Sequence, residues 1–155
     1  MNLSSLLVPE RVNLSLRSKK KESVIKELVG MIKSGKDADV IISTLIKREQ
    51  LGSTGIGKGI AIPHCRSLLV NRLEIAVGRS AGGIEFDAID KKPVYLVFLV
   101  IAPPQDPGNQ YLLTLGRIVQ LSKELVKKKL FMEPQSPKDF IKLIARIEKL
   151  IDRRK

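Results

Sequence analysis

The chain is organised around Arg48-Glu49-Gln50-Leu51-Gly52-Ser53-Thr54-Gly55-Ile56-Gly57-Lys58-Gly59-Ile60-Ala61-Ile62-Pro63-His64-Cys65. Glycines interleaved with hydroxyl residues predict a loop from Gly52 onward, and Gly59 to His64 predicts a short extended segment leading to the only histidine in the sequence. A neutral imidazole is a nucleophile near neutral pH, while clustered glycines let backbone N–H groups approach an anion that side chains would shield. The pairing of the two points to a histidine that takes a phosphoryl group.

Working outward, the flanks alternate between helix and strand. Ser18 is placed to cap a helix running to about Gly35, with Val24, Ile25, Leu28, Val29 and Ile32 on one face. Asp37 begins a second helix with a buried stripe of Val40, Ile41, Leu45 and Ile46, which puts Arg48 near its end. Downstream, Leu73 to Gly78 and Val94 to Ala102 are strands, the second apolar enough to be buried on both faces of a sheet. After the turn at Pro103-Pro104-Gln105-Asp106-Pro107-Gly108, Asn109 is the expected cap of a helix whose Leu112, Leu113, Leu115, Ile118, Val119 and Leu121 cover the sheet. Ser136-Pro137 starts a last helix carrying Phe140, Ile141, Ile144, Ile147, Leu150 and Ile151. This order predicts an α/β fold in which helices cover a sheet and the reactive loop lies at one edge. No repeat or linker divides the chain, so residues 1–155 are expected to form one domain, and a chain of that length can bury about 68–70% of its unfolded surface.

Composition excludes several function classes. Hydrophobic residues make up 43% and charged residues 28%, which suits neither a disordered nor a membrane-embedded chain. No apolar run approaches the roughly 18 residues of a membrane span, and the first ten residues lack a basic start followed by a long apolar stretch, so a cytoplasmic location without membrane insertion is expected. One cysteine permits no internal disulfide, and one histidine beside it builds no conventional zinc site; Cys65 reads as a small residue beside the site, and no metal or cofactor is called for. The net charge of +12 favours anionic partners, but an aromatic content of 4% and the lack of a base-stacking motif argue against specific nucleic-acid recognition. Lys19-Lys20-Lys21, Lys127-Lys128-Lys129 and Arg153-Arg154-Lys155 read as solvated helix ends.

Gly52 to Lys58 also matches a nucleotide-binding loop, whose next residue must be Ser or Thr to reach magnesium and which must join a strand to a helix. Here Gly59 takes the hydroxyl position and the order is helix, loop, strand. Phosphate binding survives these mismatches; ATP or GTP hydrolysis does not.

The ordered elements Arg48-Glu49, Ser53-Thr54-Gly55-Ile56-Gly57 and Ala61-Ile62-Pro63-His64, followed by Gly83-Ile84-Glu85-Phe86-Asp87-Ala88-Ile89-Asp90 before a central strand, resemble the fructose/mannitol-type enzyme IIA domains of the bacterial phosphotransferase system, a family that includes the nitrogen-regulatory enzyme IIA proteins. The resemblance runs from about Ser5 to about Leu150. It implies a mixed β-sheet sandwiched by helices, and a phosphocarrier that accepts a phosphoryl group from phosphorylated HPr on His64, at Nε2, and passes it to a cysteine of an enzyme IIB, for sugar uptake or for phosphorylation-dependent control of a target protein.

By the same resemblance Arg48 is the basic residue of the active site, and its planar fork suits phosphate oxygens. Ser53 and Thr54 are candidate hydroxyl donors to phosphate, with Gly55 and Gly57 allowing close backbone approach. Many members carry a second histidine near the start of the helix after the central strand, where this chain has Tyr111. A phenol can donate a hydrogen bond but does not titrate near pH 7. The alternative from a different class is a non-catalytic module that keeps the scaffold and binds an anionic partner through its basic surface.

Overall fold

The structure, a computed structural model, describes residues 2–154. Its spine is a long antiparallel pair, β5 (Glu74–Ile84) and β6 (Val94–Ala102), with β1 (Val12–Asn13) parallel to the outer side of β5. On the other side of β6, the chain from Ile60 to Arg66 lies parallel to it in two pieces, β3 (Ile60–Ala61) and β4 (His64–Arg66), and β2 (Gly55–Gly57) pairs antiparallel with β3. The sheet is therefore mixed, with β6 at its centre.

Helices cover both faces, in chain order α1 (Lys21–Val29), α2 (Gly35–Gln50), α3 (Gln110–Val126) and α4 (Pro137–Arg153). The alternation of strand side chains sorts β6 between two cores. Leu96, Phe98, Val100 and Ala102 join Ile75, Val77, Ile60 and Ile62 under α3 and α4. Val97, Leu99 and Ile101 join Ala61, Cys65 and Ala76 under α1 and α2. Expected burial of β6 on both faces is thus observed, and the mixed, helix-covered sheet is the architecture anticipated from sequence.

Several boundaries and packing assignments differ. The first helix begins at Lys21 rather than after Ser18 and ends at Val29, because the N–H groups of Arg17 and Ser18 donate to the Glu27 carboxylate and hold that segment extended. The second begins two residues before Asp37, with Ser34 at its N-cap. On α3, Leu112, Leu113 and Val119 face outward, and Tyr111, Thr114 and Arg117 take buried positions in their place. Ser136 caps α4 as expected, its hydroxyl accepting from Asp139 N at 3.1 Å. Of the basic runs, Lys21 is not a solvated end: its ammonium lies 3.0 Å from Glu49 Oε1. Lys128 and Lys129 sit in left-handed backbone (φ 53° and 54°) inside the 3-10 segment Lys127–Met132. Among the described residues no helix is long and apolar enough to cross a membrane.

Candidate functional site

The break between β3 and β4 sets the histidine in place. Proline has no N–H to give to the ladder, and at Pro63 the strand is interrupted; Ile62 N turns to Thr54 O, while Val100 N reaches back to Pro63 O. Pairing resumes with His64 opposite Val100. His64 and Arg66 then share the α3 face of the strand, and Cys65 points the other way into the core under α1 and α2. Burial pushes the Cys65 thiol up to about 11, so it is a packed, protonated group and no nucleophile at neutral pH.

His64 is half-buried, and its Nδ1 lies 2.7 Å from the carbonyl oxygen of Ile62. A carbonyl oxygen only accepts, so Nδ1 carries a proton, and in the neutral ring Nε2 keeps the lone pair. The same bond fixes the direction of the ring. Tyr111 packs beside it, with ring centroids 6.0 Å apart and planes at 60°.

Tyr111 is held by the start of α3. Asn109, the expected cap, has left-handed backbone (φ 52°) and makes no capping bond with its side chain. Asp106 caps instead, its carboxylate accepting from Gln110 N at 3.0 Å and Tyr111 N at 2.8 Å. Burial pushes the Tyr111 phenol up to about 12, against the pull of Arg66 and Arg48, so its hydroxyl stays neutral throughout the physiological range.

The glycine-rich stretch is a hairpin rather than an open loop, built on Glu49. That carboxylate, buried at the end of α2, accepts from Thr54 N at 3.0 Å and from Thr54 Oγ1 at 2.6 Å. Ser53 Oγ donates to Phe86 O at 3.2 Å and accepts from Gly55 N at 3.1 Å. The hydroxyl protons of Ser53 and Thr54 are thus committed to the scaffold in this state. Gly55 is needed for space, since a Cβ there would sit 2.8 Å from Ala88, and Gly57 for its backbone, at φ 95°. Arg48 closes the end of α2, with Nη1 donating to Gly52 O at 3.1 Å, and α2 packs against β4.

Sequence reasoning quoted Glu49 without giving it a role, read Lys21 as a solvated helix end and Asp106 as part of a turn, and passed over Arg66. Only Arg66 had a visible signal, the two-residue spacing from His64 on one strand. Among the described residues, no cluster of three His, Cys, Asp or Glu side chains is placed to hold a metal ion.

Residues 5–147 match the family described as phosphoenolpyruvate-dependent sugar phosphotransferase system, EIIA 2. The chain belongs to this EIIA family. It is 37% identical over 96% of its length to the fructose-specific EIIABC component of Bacillus subtilis, of which it spans 24%. It is 32% identical to the fructose-specific EIIA component of Haloferax volcanii, covering 94% of this chain and 96% of that one. The crystal structure of nitrogen regulatory protein IIA-Ntr from Neisseria meningitidis superposes with a TM-score of 0.78 at 26% identity, over 92% of this chain and 98% of that one. Sugar-specific and nitrogen-regulatory EIIA proteins are both among its relatives.

Proposed function

We propose that this EIIA protein is a cytoplasmic phosphocarrier in which His64 Nε2 takes a phosphoryl group from phosphorylated HPr and yields it to the cysteine of an enzyme IIB, or holds it as a signal to a regulated protein. The observation that carries this reading is the 2.7 Å bond from His64 Nδ1 to Ile62 O, which leaves Nε2 as the available lone pair. That lone pair attacks phosphorus as the donor's N–P bond breaks and its electron pair returns to the donor imidazole. Onward transfer reverses the roles: an acceptor thiolate attacks, and the N–P pair returns to His64. The Nδ1 proton stays in place throughout.

Little covalent chemistry is asked of the other residues, because phosphoryl transfer is promoted mainly by positioning and by charge placed around the transferring oxygens. Arg48 supplies such charge at the end of α2. Ser53, Thr54, Gly55 and Gly57 contribute by giving the hairpin beside His64 one shape, with phosphate contact from the two hydroxyls requiring exchange of their present bonds. The test is incubation with phosphoenolpyruvate, enzyme I and HPr, read by intact mass. One acid-labile phosphoryl group on the wild type and none on His64→Ala is the expected result. An unmodified, folded wild type beside a known EIIA that is loaded in the same mixture overturns the proposal.

A further inference from the structure

We propose that Arg66 is a second cation for the phosphoryl group on His64, and that the ring of Tyr111 is the seat that holds it there. This rests on His64 being the carrier and adds the residue that meets the arriving charge. Residues 64 and 66 point to the same face of β4, roughly 7 Å apart along the strand. The Arg66 guanidinium carbon lies 4.7 Å from the Tyr111 ring centroid, in cation–π range, and Tyr111 in turn packs beside the His64 ring. Arg66 Nη1 donates to Pro103 O at 2.9 Å, which pins the fork while its other donors remain for a ligand.

Among the described residues neither Arg66 nor Arg48 forms an ion pair, although seven such contacts occur elsewhere. Both guanidinia bear electrostatically on the Tyr111 hydroxyl, so the group beside His64 lies in the field of two arginines, one from α2 and one from β4. A phosphoryl group carrying about −1.5 to −2 charges fits that field. Tyr111 itself brings no charge; the residue is only 7% exposed, its backbone is fixed by Asp106 at the helix start, and its ring is the part that touches Arg66. Tyr111 is therefore a positioning residue, and Arg66 the group that contacts the phosphoryl oxygens.

The experiment compares Arg66→Gln, Arg66→Lys, Tyr111→Phe and Tyr111→Leu in two readouts: kcat/KM for loading by phosphorylated HPr, and the phosphorus NMR titration of the loaded histidine. A nearby cation favours the more charged phosphoryl, so its removal raises the pH of the last phosphoryl ionisation, an effect that a merely structural role would not produce. Arg66→Gln is expected to lower kcat/KM about tenfold and move that ionisation upward. Arg66→Lys restores the ionisation and part of the rate, since it returns charge without the planar fork. Tyr111→Phe stays within about twofold of wild type because the ring is kept, and Tyr111→Leu follows Arg66→Gln. The double variant Arg66→Gln/Tyr111→Leu loses no more than either single one, as expected of two residues acting as one unit.

Loaded wild type and Arg66→Gln with the same rate and titration would overturn the proposal. A Tyr111→Phe variant that falls as far as Arg66→Gln would overturn the ring as the seat. A wild type that takes no phosphoryl group would sink the carrier function and this proposal with it, a result distinct from loaded protein indifferent to Arg66. Arg66 is exposed, so its variants fold, and they decide the matter even if Tyr111→Leu does not.

Discussion

Glu49 accepts the N–H and the hydroxyl of Thr54 and faces the ammonium of Lys21, so one buried carboxylate joins α1, α2 and the hairpin that precedes His64. Lys21 is further tied to this corner through Ser53 Oγ at 3.4 Å and lies 5.0 Å from the centre of the Phe86 ring. Glu49→Gln keeps the size and one acceptor but removes the charge and puts an NH2 where a second acceptor is needed. The expected loss is about 1.5–3 kcal/mol, the range for hydrogen bonds to a charged group, measured by urea unfolding. Phosphoryl loading should slow about tenfold with His64 intact, because the hairpin loses its single arrangement. Unchanged stability and rate would show that the carboxylate charge does not hold the hairpin.

Elements were legible where local chemistry and tertiary demand agreed. Helix α4 has Ser136 and Pro137 at its start and apolar residues at helical spacing, and β6 is apolar enough for a strand with helices on both sides. β1, two residues long, left no periodic signal, and the β2–β3 hairpin depends on distant supports such as the Ile89 N bond to Gly55 O and the Lys58 N bond to Asp90. The cap of α3 was misread because Asp106 and Asn109 both carry a suitable side chain, and only the fold decides which one meets the free N–H groups. His64 stood out through its motif, whereas Lys21 is remote from Glu49 in sequence and looked like one more surface lysine.

Helix α3 also holds a residue that its amphipathic pattern does not explain. Thr114 is 0% exposed and its Oγ1 has no protein partner among the described residues. Such a hydroxyl gives up water without recovering a hydrogen bond, so Thr114→Val, which has nearly the same shape, should stabilise the protein by about 1 kcal/mol. A shift of the urea midpoint to higher concentration with an unchanged slope is the expected reading. A lower midpoint would mean that the hydroxyl has a use in the folded state.

The α3–α4 layer is joined to the N-terminal residues by charge as well as by apolar packing. Glu148 receives Leu3 N at 2.7 Å, Ser4 N at 2.8 Å and Arg117 Nε at 2.9 Å, while Arg117 Nη2 reaches Asp152 at 2.9 Å. The Arg117 and Glu148 side chains are only 6% and 3% exposed, so each depends on the other for its charge to be tolerated. Glu148→Ala leaves the buried guanidinium with Asp152 and a long 3.5 Å bond to Gln120 Oε1, and leaves two backbone N–H groups without their acceptor. The loss should reach about 3–5 kcal/mol, a large part of what holds a domain of this size folded. Glu148→Gln, which keeps one acceptor oxygen for the N-terminal N–H groups, should lose less. Because the cluster shares no residue with the His64 site, phosphoryl loading per folded molecule should match wild type in both variants. Urea unfolding gives the first quantity, and loading below the unfolding transition gives the second. Loading that falls in step with stability would show that the α3–α4 layer and the carrier site are one coupled unit.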